Sequence, residues 1–324
     1  MGGVSGVGCA GVGRARGWAC EEKEYVVDVS RWAAQSAMSD PGVHASVLEA
    51  LPVDVERLCG VLRGVVTHYR AGGVVGVGER WEEIDVRWVE SMLALDQARD
   101  RRPWGVGERV PLVGCCRDFA LLGVAALRAR GVPARTRVGF ASYLERGFGV
   151  DHVLIEYWDG KRWVWVDPML DPGGGWGFDV VDVPHGAGVG RDVFSSAARV
   201  WSAYRAGEVD AGRFGVSGAL APMLAGGWLV RDYVWLELAH RQGVETLLWD
   251  GWGAMGAQGD SALTDVVAGL LVAADEGDVG AEEELAAWFV DDERLGPRGW
   301  VFCASPSGYR GWVDVDSRMV EPAV

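Results

Sequence analysis

No stretch of this 324-residue chain holds the roughly 20 uninterrupted apolar residues that a membrane-spanning helix requires. Its long apolar runs are broken by Gly, Arg or Asp well before that length. Cysteine is sparse: Cys9, Cys20, Cys59, Cys115, Cys116 and Cys303 make no CxxC pair, which argues against a disulfide scaffold and leaves room for one reactive thiol. Positive charge is in deficit, with 31 Lys and Arg against 46 Asp and Glu and a net charge of -15. A nucleic-acid backbone is therefore excluded as the main partner, since that interaction runs on cationic side chains displacing counterions. There is no Walker A loop, no HExxH zinc motif and no GxSxG elbow, and the scattered Gly-x-Gly pairs lack a strand-to-helix context. The first 17 residues are rich in Gly, carry Arg14 and Arg16, and lack the continuous apolar core of a secretory signal, so a cytoplasmic protein without membrane attachment is expected.

What is present is an ordinary globular composition, 49% apolar and 24% charged. Seventeen Trp and 48 Gly favour an irregular α+β protein with many turns over a helical bundle. Residues 1 to 24 read as a flexible leader, because no apolar period begins before Tyr25 and Val26. Residues 25–179 read as a first folded domain and 180–324 as a further, partly helical region of unassigned role.

Apolar positions at Val55, Leu58, Leu62, Val65, Val66 and Tyr69 predict a helix over 55–69, with His68 as a structural residue on it. A second helix is predicted from Trp81 to Ala98, on the stripe Ile84, Trp88, Met92 and Leu95. Pro103 and Pro111 bracket a loop whose Trp104 reads as a core residue, with a groove-lining role as the alternative. A third helix is predicted from Cys116 to Arg130, closed by Gly131 and Pro133. Three β patterns follow, at 134–141, 152–158 and 162–167. Beyond Pro172-Gly173-Gly174-Gly175, helices are expected at 193–205, 230–241 and 262–274. The acidic run containing Glu282, Glu283, Glu284, Asp291, Asp292 and Glu293 reads as a solvated helix face. Trp249-Asp250-Gly251-Trp252-Gly253 reads as a tight turn flanked by core tryptophans, with an aromatic ligand wall as the alternative.

The chemistry-bearing stretch is Gly114-Cys115-Cys116-Arg117-Asp118-Phe119-Ala120. It puts a thiol at the start of a helix, where unpaired backbone N–H groups and the helix dipole favour a thiolate. The same N–H groups can donate to a developing oxyanion. Adjacent cysteines point about 100° apart on a helix, so one of them faces the site while the other is buried as a small apolar residue.

His152 and Asp167 join this thiol through hairpin geometry. Asp159-Gly160 signals a two-residue turn with Trp158 opposite Lys161, a register that places His152 directly across from Asp167. A four-residue loop pairing Trp158 with Trp163 would still leave them on one face, whereas a three-residue loop would separate them. On one face, the carboxylate orients the imidazole while the other ring nitrogen meets the thiol. Asp151, pointing to the opposite face, and Asp171, beyond the strand, are the competing carboxylates.

GCCRDFALLGVAALRARGVPAR followed by DHVLIEYWDGKRWVWVDP resembles the transglutaminase-like core over about residues 80 to 172. In that family a cysteine, a polar residue and Asp-Phe-Ala open an apolar helix that ends near Gly-[Ile/Val]-Pro-Ala-Arg. Cys116, rather than Cys115, matches the nucleophile, His152 the histidine opening the next motif, and Asp167 the aspartate of the terminal Asp-Pro. The resemblance implies an α+β, papain-like fold with the catalytic Cys at a helix N-terminus packed on an antiparallel sheet. It also implies a Cys116, His152, Asp167 triad that transfers or hydrolyses an acyl group of a peptide, protein or small-molecule amide or thioester, with no metal or organic cofactor. The alternative is a catalytically inactive core retained as a peptide-binding or structural module.

Overall fold

A computed structural model describes residues 28–70, 78–190, 192–218, 223–256 and 259–323. The leader expected over residues 1 to 24, with Cys9 and Cys20, lies outside them. The described chain begins with short helical turns and α1 (Ala45–Glu49), then α2 (Val55–Val65), β1 (Val66–His68), α3 (Val89–Arg99), β2 (Leu112–Gly114) and α4 (Cys116–Arg128). The β-meander follows as β3 (Ala134–Glu145), β4 (Phe148–Trp158) and β5 (Trp163–Val166). Next come β6 (Phe194–Ser196), α5 (Ala197–Arg205), β7 (Phe214–Gly215), α6 (Gly227–Arg241), β8 (Asp250–Gly251), α7 (Ser261–Asp275), α8 (Val279–Asp291), β9 (Trp300–Ala304), β10 (Arg310–Asp314) and β11 (Val320–Pro322).

The central sheet runs β5-β4-β3-β6, all antiparallel, with β7 added in parallel to β4. This mixture of helices around an antiparallel sheet is the α+β class expected. Val153 and Ile155 of β4 enter the main core with α4, whereas Leu154 joins a smaller cluster with Ala141, Trp165, Val183 and Phe194, as the two-residue side-chain period requires. Gly139 sits opposite His152 in the β3–β4 ladder. A Cβ there would come within 2.2 Å of the Ser195 carbonyl, so glycine is what lets β6 close against β3 at this level.

Both β6 and β7 come from beyond residue 180, and the main core joins residues on both sides of that position. Charge pairing crosses it too. Arg137 of β3 is buried against Glu237 of α6 and Asp275 of α7, and Arg241 bridges Asp275 and Glu282. The expectation of a solvated acidic face is thus corrected at Glu282, which is buried at the end of this network and also meets Arg31. Among the described residues a second sheet, β11-β10-β9-β8, packs through Val301, Cys303 and Val313 into the same core.

Several elements differ from the sequence reading where tertiary pairing overrides a local period. The helix expected over 55–69 ends at Val65, because Val66-Thr67-His68 extends to pair in parallel with Leu112-Val113-Gly114. The helix expected over 81–98 divides into a 3-10 segment, Gly78–Asp85, and α3. The break falls at Arg87, whose side chain reaches buried Asp250 and whose carbonyl accepts from Arg117. Likewise, the helix expected from Val193 starts at Ala197, the preceding residues forming β6.

Candidate active site

Helix α4 begins at Cys116 because Cys115 is held in extended backbone, φ −126° and ψ −176°, and caps it. The Cys115 sulfur accepts the Asp118 N–H while Asp118 Oδ2 accepts the Cys115 N–H at 2.7 Å, a reciprocal capping box. Arg117 is fully buried; its guanidinium pairs with Asp118 at 2.9 Å and donates to the carbonyls of Arg87 and Glu245. The start of α4 is therefore pinned by segments 30 residues before it and 128 after it. Cys115 and Cys116 are both buried and both line the cleft, so burial alone does not separate them.

Cys115, His152 and His68 are the side chains that act on the Cys116 thiol, each favouring its ionised form. Cys115 is the strongest influence holding it well below the usual thiol range, against the opposing effect of burial, and the two histidines act in the same direction. Cys115 moves the other way, as expected of the thiol that keeps its proton and donates it to the neighbouring thiolate. On the other side, His152 Nε2–H donates to Asp167 Oδ2 at 2.8 Å, which leaves Nδ1 for the thiol. Burial disfavours the imidazolium, but Asp167 and the thiolate outweigh it and raise His152 to about 10.

The hairpin that joins His152 to Asp167 carries the four-residue register: Trp158 faces Trp163, not Lys161. The two-residue turn at Asp159-Gly160 is corrected to one centred on Gly160 and Lys161. Gly160 takes φ +99°, the Asp159 carboxylate accepts the Lys161 and Arg162 N–H groups, and the Asp159 N–H donates to the Arg162 carbonyl. His152 and Asp167 are diagonal on one face and remain within bonding distance.

Asp167 is fully buried and its carboxylate is fixed at three points. Oδ2 accepts from His152 and from the Tyr143 hydroxyl, and Oδ1 accepts the Met169 N–H at 2.9 Å. Tyr143, absent from the sequence reading, reaches Asp167 where β3 breaks register after Ala141. The competing carboxylates are occupied elsewhere. Asp151 accepts the Tyr233 hydroxyl at 2.8 Å and is pushed up to about 6 by burial, and Asp171 accepts the Gly173 N–H in an exposed loop.

His68, read from the sequence as a structural helix residue, stands at the thiol. Its strand pairs it with Gly114, two residues before Cys116. The helical period that swept it into α2 concealed it. The corrected strand assignment would have pointed to it only through the distant partner β2.

Cys116, His152 and His68 line a cleft of about 770 Å³. The second half of the chain adds Trp228, Tyr233, Trp249, Trp252, Trp300 and Phe302 to its lining. The Trp249–Gly253 segment keeps its reading as a turn flanked by core tryptophans, with Trp252 buried in the main core and Trp249 packed against it, and both also line the cleft. Asp250 makes a buried pair with Arg87 and fixes the turn, and that fixing presents Trp249 and Trp252 to the cleft. Trp104 keeps the core reading, its Nε1–H donating to Asp96 at 2.7 Å. Among the described residues no group of three His, Cys, Asp or Glu side chains is arranged to hold a metal ion. Nor is any described helix long and apolar enough to cross a membrane.

Residues 84–168 match the model of the transglutaminase-like superfamily, the family that the cysteine, histidine and Asp-Pro motifs resemble. A solved structure of a candidate cysteine protease from Cytophaga hutchinsonii is similar over 45% of this chain, at 18% identity and a TM-score of 0.29. That similarity spans 43% of the other protein, less than half its length. No curated protein matches this chain.

Proposed function

We propose that this transglutaminase-like core performs cysteine-dependent acyl transfer or hydrolysis on an amide or thioester. Cys116 Sγ attacks the carbonyl carbon and a C–S bond forms. His152 Nδ1 holds the thiol proton and delivers it to the departing amine or thiol as the old acyl bond breaks. Water or an amine then attacks the thioester carbonyl, giving a proton to His152 as the C–S bond breaks and the thiolate returns. Asp167 orients the ring and stabilises its cationic form. This chemistry needs neither a metal nor an organic cofactor.

The observation that carries the reading is a helix-N-terminal thiol that shares a cleft with His152, whose ring is bonded to a carboxylate held at three points. The aromatic side chains that line the cleft together with Cys116 favour an acyl donor with an apolar body that enters the cleft over an extended polar protein surface. The test is intact-mass spectrometry of the wild type and Cys116→Ala after incubation with a panel of aryl and alkyl thioesters and amides, with and without an added amine. A Cys116-dependent acyl adduct that discharges faster with amine supports transfer, and one that discharges equally with water supports hydrolysis. A folded protein whose Cys116 stays unmodified across the panel would favour the binding-module alternative.

A further inference from the structure

Two histidines flank Cys116, and their surroundings differ in a way that fixes opposite proton roles. His152 has a carboxylate behind it. His68 has a backbone amide: the Arg70 N–H donates to His68 Nδ1 at 3.2 Å. An imidazole nitrogen that accepts a hydrogen bond carries no proton, so the proton of the neutral ring is on Nε2. His68 therefore has no free lone pair at Nε2 and cannot take the thiol proton there. It can only donate.

The position suits a donor. His68 is the last residue of β1, in parallel register with Gly114, and the following Tyr69 N–H donates to the Gly114 carbonyl at 2.8 Å. Tyr69 also stacks on the imidazole, with centroids 4.9 Å apart and planes at 23°, which fixes the ring plane. His68 lines the same cleft as Cys116. Cys116 is the first residue of α4, so its N–H lies outside the helix's own hydrogen bonds. A tetrahedral intermediate on Cys116 needs a second donor converging with that amide to hold its oxygen.

We propose that His68 Nε2–H is this second oxyanion donor. The assignment rests on the acyl-transfer reading and deepens it: His152 moves the proton, and His68 holds the charge that develops on the carbonyl oxygen.

The experiment compares wild type, His68→Leu, His68→Gln and His152→Ala by thioester turnover and by iodoacetamide alkylation at pH 6. Alkylation by displacement at carbon needs a thiolate but no oxyanion site. His68→Leu should lower turnover by about 100- to 1,000-fold, the usual loss of one oxyanion donor, while Cys116 remains the selectively alkylated thiol. His68→Gln, which can present an N–H in place of Nε2, should recover a large part of the turnover. His152→Ala should lose both. The assignment is overturned if His68→Leu turns over within about threefold of wild type, a change too small for a lost donor. It is also overturned if its low-pH alkylation falls in the same proportion as turnover, since the whole loss would then lie in the thiolate that His68 helps to hold and none in the oxyanion. If wild type alkylates at Cys116 but forms no acyl adduct with any thioester, the acyl-transfer reading fails and this assignment with it.

Discussion

His152 Nε2 and Asp167 Oδ2 lie 2.8 Å apart although the hairpin sets the two residues diagonally rather than face to face. In that contact the carboxylate oxygen is the acceptor, so the ring proton on that side belongs to Nε2 and Nδ1 is free for the thiol. Asp167→Asn offers an N–H to Nε2 instead, which drives the ring proton to Nδ1, where it blocks proton acceptance. Turnover of a thioester should fall on the order of 10³- to 10⁴-fold with little change in thermal stability. A loss under tenfold would show that Asp167 does not set the tautomer.

Tyr143→Phe probes the same carboxylate from its other side. The hydroxyl shares Oδ2 with His152, so its removal frees that oxygen to bind the imidazolium more strongly. The alkaline limb of turnover, set by loss of the imidazolium at about 10 in the wild type, should move upward. The acid limb, set by protonation of a Cys116 thiolate held well below the usual thiol range, should stay in place. A pH–rate profile of both proteins decides it, and a downward shift of the alkaline limb would contradict the hydrogen-bond assignment.

Much of this site is legible in the sequence because its parts are local. A helix closed by Gly131 and Pro133, a hairpin with one turn signal, and a parity rule that survives either even loop length are enough to bring Cys116, His152 and Asp167 forward. His68 and Tyr143 are not legible, and the cleft-lining role of Trp249–Gly253 is legible only as the second of two readings, for one physical reason. Each is placed by a partner far along the chain: Gly114 for the strand of His68, Asp167 for Tyr143, Arg87 for the turn at Asp250. The helix breaks at Val66 and Arg87 have the same origin.

Asp151 gives a stability prediction with a definite sign. Its folded pKa, about 6, lies above the ordinary 3.8, with burial as the leading cause. The folded state thus binds its proton more tightly, and stability falls as pH rises from about 4 to about 6 as the carboxylate charges. Asp151→Asn removes that charge and keeps an acceptor for the Tyr233 hydroxyl. It should be more stable than wild type at pH 7.5 by up to about 3 kcal/mol, from a shift of roughly two units at about 1.4 kcal/mol each. Near pH 3.5 the two should unfold alike. Equal urea midpoints at pH 7.5 would contradict the burial cost.

Arg137→Met tests whether the two halves of the chain are held as one unit. It leaves Glu237 and Asp275 without a buried cation that both now use. The expected cost is about 3–5 kcal/mol, the range for breaking a buried ion pair on one side. The loss should appear as one cooperative unfolding transition at lower temperature. Two separated transitions would show that the sheet and helices α6 and α7 unfold independently.

Among the described thiols, Cys59 and Cys303 are pushed up to about 12, chiefly by burial, and Cys115 is raised as the donor to its neighbour. Cys116 alone is lowered. Limiting iodoacetamide at pH 6, followed by peptide mapping, therefore tests most directly whether Cys116 is an activated nucleophile. One label at Cys116, lost in His152→Ala, is the predicted result. A folded protein that takes no label at Cys116, or takes it only above pH 8 at the pace of an ordinary thiol, would contradict it.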